Sequence, residues 1–328
     1  MERTLQSFKR QDVPSELLLG PSISRLYLDL LCDWIVVIAA CYLMYNTSAY
    51  LYPIWAIIIA GRLHAFGVIL HDVCHMNLHN KTIHMRILEI FSGYIIGKSA
   101  NAMAYHHIRH HRDTLKDNDP YYNINKKCIG IVRFWLTMKK GLFFVPFWIA
   151  RTFFAPFALV FPKLRNPYGR IFLQDVSGKD LSKDREILTC IYEDLPIMAF
   201  HCALYYLALT RFEFLIYCYY LVIPAGGVFC IYRLLIEHEY NIVQDRSVYT
   251  MIESTFDHHM NFFERFFVGP HNIGYHCLHH IHPHVGLHNL PKLRQWYLDN
   301  SKQYQEKYLN PVKLTWRQDL FGGIHQEK

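Results

Sequence analysis

The chain has 328 residues, of which 52% are hydrophobic and 16% aromatic, against only 19% charged. That balance excludes an ordinary soluble domain and points to a membrane-embedded core. The formal net charge of +7 is not gathered into a basic helix or arm, which argues against nucleic acid as a partner and fits a positive membrane-facing side. The nine cysteines are scattered without a CxxC pair, the pattern of reduced thiols and not of a secreted disulfide framework.

The opening stretch, MERTLQSFKRQDVPSELLLG, lacks the apolar core of a signal peptide. Residues 1–25 therefore read as a cytoplasmic N-terminal segment. Four later segments are apolar over the roughly 20 residues that a bilayer crossing takes. Leu26–Tyr45 and Tyr50–Leu70 are joined by a short link, and Ile187–Leu209 and Phe212–Leu235 by a turn holding Arg211 and Glu213. Two helical hairpins result. Ile87–Gly97 is too short to cross, and Leu142–Phe161 carries Arg151 and is interrupted by Pro146 and Pro156. Both are expected to be interfacial or partly buried helices, the second alternatively a re-entrant hairpin. Most of the Lys and Arg lie in residues 1–25 and 76–186, which by the positive-inside rule puts both termini and the long middle segment in the cytoplasm. The expected fold is an all-α integral membrane protein with four transmembrane helices in two hairpins, interfacial helices and a cytoplasmic histidine-rich cap. Residues 26–300 form the membrane domain and 301–328 a polar cytoplasmic tail.

The histidines cluster at the span exits. His71-Asp-Val-Cys-His75 begins where the second span ends, and on a helix positions i and i+4 share a face. In AYHHIRHHRD, the HxxHH pattern of His107, His110 and His111 gathers three rings, with His106 as the spare. The pattern returns as His276, His279 and His280 within HNIGYHCLHHIHPHVGLH, and His238 follows the fourth span. One zinc ion takes about four ligands, so nine imidazoles suit two metal ions with four or five nitrogens each. Imidazole serves iron, copper and zinc, and an open position on iron suits oxygen activation. Asp72, Asp113, Asp119 and Glu237 are placed to orient ring N–H groups. Arg62, in the second span, needs an acid or a lipid head group. His64 and His201 read as packed, hydrogen-bonded residues, and Pro224-Ala-Gly-Gly227 as a kink or close helix contact.

The boxes HDVCH, HHIRHH and HCLHH, in this order and topology, resemble those of the integral-membrane fatty acid desaturase and hydroxylase superfamily. HHRDTLKDNDP, RLLIEH and NIGYHCLHHIHPHVGLHNLP resemble its desaturase branch, and the likeness covers roughly residues 30–295. It implies a non-haem di-iron centre that uses molecular oxygen on a lipid or fatty acyl chain held between the spans. His71, His75, His107, His110, His111, His238, His276, His279 and His280 are the implied ligands, with Asn272 near one metal, through water. His271, His282, His284 and His288 are then surplus. The third box opens with His276 where front-end desaturases carry glutamine, which disfavours that subclass. About 25 residues precede the first span, so electrons are expected from a separate ferredoxin-like or cytochrome b5-like protein. A lipid, sterol or carotenoid hydroxylase or ketolase shares the same ligand set, and a membrane metal transporter is the alternative outside oxidation chemistry. Bacterial inner membrane and endoplasmic reticulum are equally open.

Overall fold

The computed structural model describes residues 12–121, 130–239 and 243–308. Cys128 and the tail beyond residue 308 lie outside the described residues, as do residues 1–11. Among the described residues the chain is helical, with only two isolated β-bridges.

The helices are α1 (Ile23–Asn46), α2 (Tyr52–Cys74), α3 (Ile83–Leu88), α4 (Ala100–Asp113), α5 (Gly130–Val160), α6 (Arg185–Thr210), α7 (Ile223–Ile236), α8 (Val248–Ser254), α9 (Phe262–Phe267), α10 (His276–Ile281), α11 (Leu290–Asn300) and α12 (Lys302–Tyr308). On α1, Leu28, Leu31, Ile35, Ile38 and Tyr42 are exposed at a helical period, while Leu26, Leu30, Val37, Ala40 and Met44 are buried. An apolar stripe facing outward beside an apolar stripe facing inward is the signature of a helix with lipid on one side and protein on the other. From Ile59 onward α2 is buried almost completely, because the C-terminal half of the chain folds over it. The fourth predicted span begins with a π-helical turn, Ile216–Tyr220, so Pro224 lies in the first turn of α7 and kinks nothing.

Five helices, not four, are long and apolar enough to cross a membrane, the fifth being Thr137–Val160. This helix is continuous through Pro146 and Pro156 and is not a re-entrant hairpin. Its contacts show how it lies. Gly141 meets Gly227 and Val228 of α7, and Arg151 meets Asp194 of α6. Gly227 and Asp194 are each nine residues (236 − 227 and 194 − 185) from the ends of their helices at Ile236 and Arg185, about 14 Å at the helical rise. Glu186 pairs with Arg109 of α4 and His238 follows Ile236, so both ends belong to the histidine side. Helix α5 thus packs against the middle of both α6 and α7, and beyond its far end Arg165 donates to the Ser182 carbonyl at 2.6 Å.

Buried charges tie the helices together. Arg151 and Asp194 are fully buried, with Nε and Nη2 each 2.8 Å from a carboxylate oxygen, and Tyr168 donates to the same carboxylate at 2.6 Å. Arg62 finds its acid in Asp33 of α1 at 2.8 Å and also donates to the Phe266 carbonyl. His64 meets the Phe267 carbonyl at 3.0 Å, and His201 is buried in α6. Helices α8, α10, α11 and α12 share a core that includes Met251, Leu278, Leu293, Tyr297, Tyr304 and Tyr308. Residues 302–308, which the sequence places in the tail, are therefore part of the cap. The N-terminal segment also joins it, with Val13 buried there and the Leu19 carbonyl accepting from the Gly286 amide at 3.0 Å.

A Cβ at Gly227 would overlap the Gly141 carbonyl oxygen, whereas one at Gly67 would come no closer than 3.6 Å to Ile96. Gly227→Ala is expected to lose about 1–3 kcal/mol by overpacking and Gly67→Ala to stay near wild type. Melting of the purified variants in detergent checks the contrast.

Candidate metal centre

Helix α4 is capped by Ser99, whose side chain accepts from the Ala102 amide. Its second half carries His107, His110 and His111, all buried. Helix α10, only six residues long, carries His276, His279 and His280. Helix α2 ends in His71, with His75 at its C-cap, and His238 follows α7. The nine rings form two adjacent groups. His71, His75, His107, His111 and His279 make one, and His110, His238, His276 and His280 the other, with the donor atoms of each within 4.8 Å of one another. The HxxHH spacing explains the division. Positions i and i+4 of α4 face the first group and i+3 the second, while in α10 the pair at i and i+4 faces the second and i+3 the first. The groups touch where the His111 and His280 rings lie 4.4 Å apart.

Within each group ring nitrogens face ring nitrogens. His107 Nε2 lies 3.0 Å from His75 Nε2 and 2.9 Å from His111 Nε2, which is 3.0 Å from His279 Nε2. In the second group three Nε2 atoms close a triangle: 3.0 Å for His238–His276, 2.9 Å for His276–His280 and 3.3 Å for His238–His280. Hydrogen bonds cannot account for a triangle, because each neutral imidazole has one N–H, which points along one line. Two of those protons are engaged elsewhere: His110 Nδ1 is 2.8 Å from Asp119 and His280 Nδ1 is 3.1 Å from Thr114 Oγ1. The opposite nitrogens are then bare lone pairs aimed at one another. Two nitrogens about 2.1 Å from one cation, at right angles, lie about 3 Å apart, so the donor set fits a metal ion in each group.

Electrostatics agree. Burial first, and neighbouring imidazoles second, hold His107, His111, His276, His279 and His280 well below the ordinary imidazole value. The same two causes push His75 and His238 down to about 3. These seven rings are accordingly neutral, the form that ligates metal. Burial pushes Glu237 up to about 8, and Arg233 opposes the shift.

Of the acids expected to orient the rings, Asp119 and Glu237 do reach them. Asp72 instead accepts from the Leu287 amide at 3.4 Å, and Asp113 pairs with Arg112. Asn272, in the left-handed region at φ 68°, makes no hydrogen bond to the nine rings among the described residues. His106 is turned away from the groups, between Lys98 at 2.6 Å and Tyr121 at 2.7 Å. The surplus histidines are mostly structural. His271 pairs with Asp33 at 2.8 Å, and His282 is buried against the Tyr297 hydroxyl at 2.8 Å; only His284 is exposed.

Three supporting residues escaped the sequence reading. Thr114 holds His280. Tyr121 stacks on His110 at 4.2 Å and contacts His107 Nδ1 at 3.4 Å. Asp257 accepts from the Cys277 amide at 2.7 Å and the Leu278 amide at 3.4 Å, capping α10 from a distant segment, and is itself bonded by the Tyr304 hydroxyl. Thr114 and Tyr121 follow the second box closely enough to have been found by proximity, but nothing in the spacing marks Asp257.

The fold and site define a helical membrane protein with two adjoining histidine groups, each able to hold a metal ion. The family model for fatty acid desaturase matches residues 25–310, and the chain belongs to that family. No curated protein matches it.

His107→Gln is expected to lower bound metal, and His106→Gln to leave it at the wild-type level. Asp257→Ala is expected to cost about 1–2 kcal/mol through the lost cap and to loosen metal retention. Metal content by plasma mass spectrometry, read beside the melting midpoint, checks all three.

Proposed function

We propose that the protein is an oxygen-dependent desaturase of lipid acyl chains, with its nine histidines holding two iron ions. The arrangement of five and four imidazoles side by side against an apolar cavity, in a chain of the fatty acid desaturase family, carries this reading. Bound iron supplies the activation of oxygen and the removal of hydrogen from an unactivated methylene. The chain's own residues supply position, charge and dryness.

Leu63, Gly67, Ile96, Met103, Phe144 and Trp148 form the apolar wall of a cavity that reaches His71, His107, His110 and His276. A second cavity, with Thr137, Lys140 and Gln174 on its wall, reaches His110 and His238. The two share His110, Tyr121, Phe144 and Leu234, so a lipid passing between them runs along both histidine groups. Apolar walls hold a methylene against the centre and keep water out. Asp119 fixes the ring proton of His110 on the outer nitrogen, and Thr114 does the same for His280.

One-sided convergence of the rings supports a topology of four crossings. Between His111 and His238 the chain crosses an even number of times, which α6 and α7 provide while α5 lies sideways. With both termini and the site in the cytoplasm, the basic segment 76–186 faces an acidic electron carrier of ferredoxin or cytochrome b5 type.

Untargeted lipid mass spectrometry of cells expressing the protein tests the reading, beside a His279→Ala, His280→Ala control at equal abundance. A product lacking two hydrogens, absent from the control, together with iron near two per chain, is the expected result. A product gaining one oxygen instead moves the chain to hydroxylation. Weak, exchangeable binding of several metals without any product overturns oxidation chemistry in favour of metal transport.

A further inference from the structure

Behind the first histidine group runs a buried chain of hydrogen bonds that ends on one of its rings. Lys98, completely buried on the wall of the apolar cavity, has its Nζ 2.6 Å from His106 Nε2 and over the face of Trp148, 3.6 Å from the ring centroid. His106 Nδ1 is 2.7 Å from the Tyr121 hydroxyl, and that hydroxyl is 3.4 Å from His107 Nδ1. Tyr121 is held independently, its amide donating to Asp119 at 2.9 Å and its ring stacked on His110. Neutral imidazole and phenol each bring one proton, so the chain has two senses. If the Lys98 amine donates, His106 donates to Tyr121, Tyr121 donates to His107 Nδ1, and the His107 proton sits on Nε2. If the amine accepts, every bond is reversed, and His107 donates from Nδ1 to the Tyr121 oxygen. Only the second sense leaves His107 Nε2 a bare lone pair, and this is the atom that faces His75 Nε2 at 3.0 Å and His111 Nε2 at 2.9 Å. An ammonium has no lone pair and imposes the first sense, whereas a neutral amine permits the second. Burial, with Arg151 adding to it, holds the Lys98 amine well below the ordinary lysine value.

We infer that Lys98, His106 and Tyr121 are positioning residues of the metal centre: Lys98 is the terminal hydrogen-bond acceptor of a one-way chain that fixes the His107 proton on Nδ1 and presents Nε2 to the metal. The inference rests on the reading of His107 as a ligand. It gives one task to the histidine that the second box leaves over and to the buried lysine beside it. The task asks nothing of the lipid in the cavity, because every link is a residue of the chain. A ring nitrogen with its proton committed on the outer side is a better ligand than one free to tautomerise, so the chain acts on metal retention through His107 alone.

Histidine-selective nitrogen-15 NMR of the metal-free protein in nanodiscs tests the inference, because protonated and bare ring nitrogens resonate far apart. The His107 signals are those missing from His107→Gln. His107 is expected to carry its proton on Nδ1 in the wild-type protein. Lys98→Arg, which can only donate, is expected to move the proton to Nε2 and to weaken iron retention by about 10–100-fold. Lys98→Gln, whose amide oxygen accepts, is expected to keep the wild-type proton position. A His107 proton on Nε2 in the wild type, which needs no Lys98 variant, overturns the inference, as does an unmoved proton in a Lys98→Arg protein that melts like the wild type. The tautomer is read without metal, so the two readings fail separately. A protein that retains iron but carries the His107 proton on Nε2 when metal-free refutes the chain alone, and one with the expected proton position that retains no metal refutes the metal centre.

Discussion

Nitrogen lone pairs crowded against nitrogen lone pairs are the constraint around which the molecule is built. The triangle of His238, His276 and His280, with edges of 2.9–3.3 Å, has no stable hydrogen-bonded solution. Burial denies the rings water and disfavours their protonation, so a cation is the remaining means of relieving the repulsion. The apoprotein is therefore expected to be poised for metal, with the ring protons of His110 and His280 already committed to Asp119 and Thr114 on the outer side. Such a site holds its form only if the elements that bring the rings together are themselves rigid.

That rigidity comes from the layer next to the rings. Helix α2 is buried along the stretch that ends in His71, between α1 and the cap. Helix α5 braces α7 through a glycine contact and α6 through the Arg151–Asp194 pair. The short α10 is the weakest of the supports by length, and Asp257 with Tyr304 compensates from outside the helix. Among the described residues, the buried cations Arg62, Arg151 and Arg233 of this scaffold pair with Asp33, Asp194 and Glu237.

Much was legible in the sequence, and for identifiable reasons. The α1–α2 hairpin follows from apolar runs of bilayer length and the three boxes from spacings that a helix converts into shared faces, whereas α6 and α7 each pack on α5 instead of closing a second hairpin on one another. His106 and His107 were separable only by assuming the box pattern; the structure separates them by the Lys98 and Tyr121 contacts that hold His106 away. Asp72 was misleading because its neighbour in sequence, His71, points to the rings while its own side chain reaches the Leu287 amide. On a helix, adjacent residues face about 100° apart.

The sequence by itself determined which segments are helical and which histidines are spaced to act together, because periodicity and spacing are local properties. The tertiary structure decided how the nine rings divide into five and four, that Thr137–Val160 is one continuous helix, and that residues 302–308 pack into the cap. Those outcomes depend on contacts between residues far apart in the chain, where no spacing rule operates and only packing selects the partner.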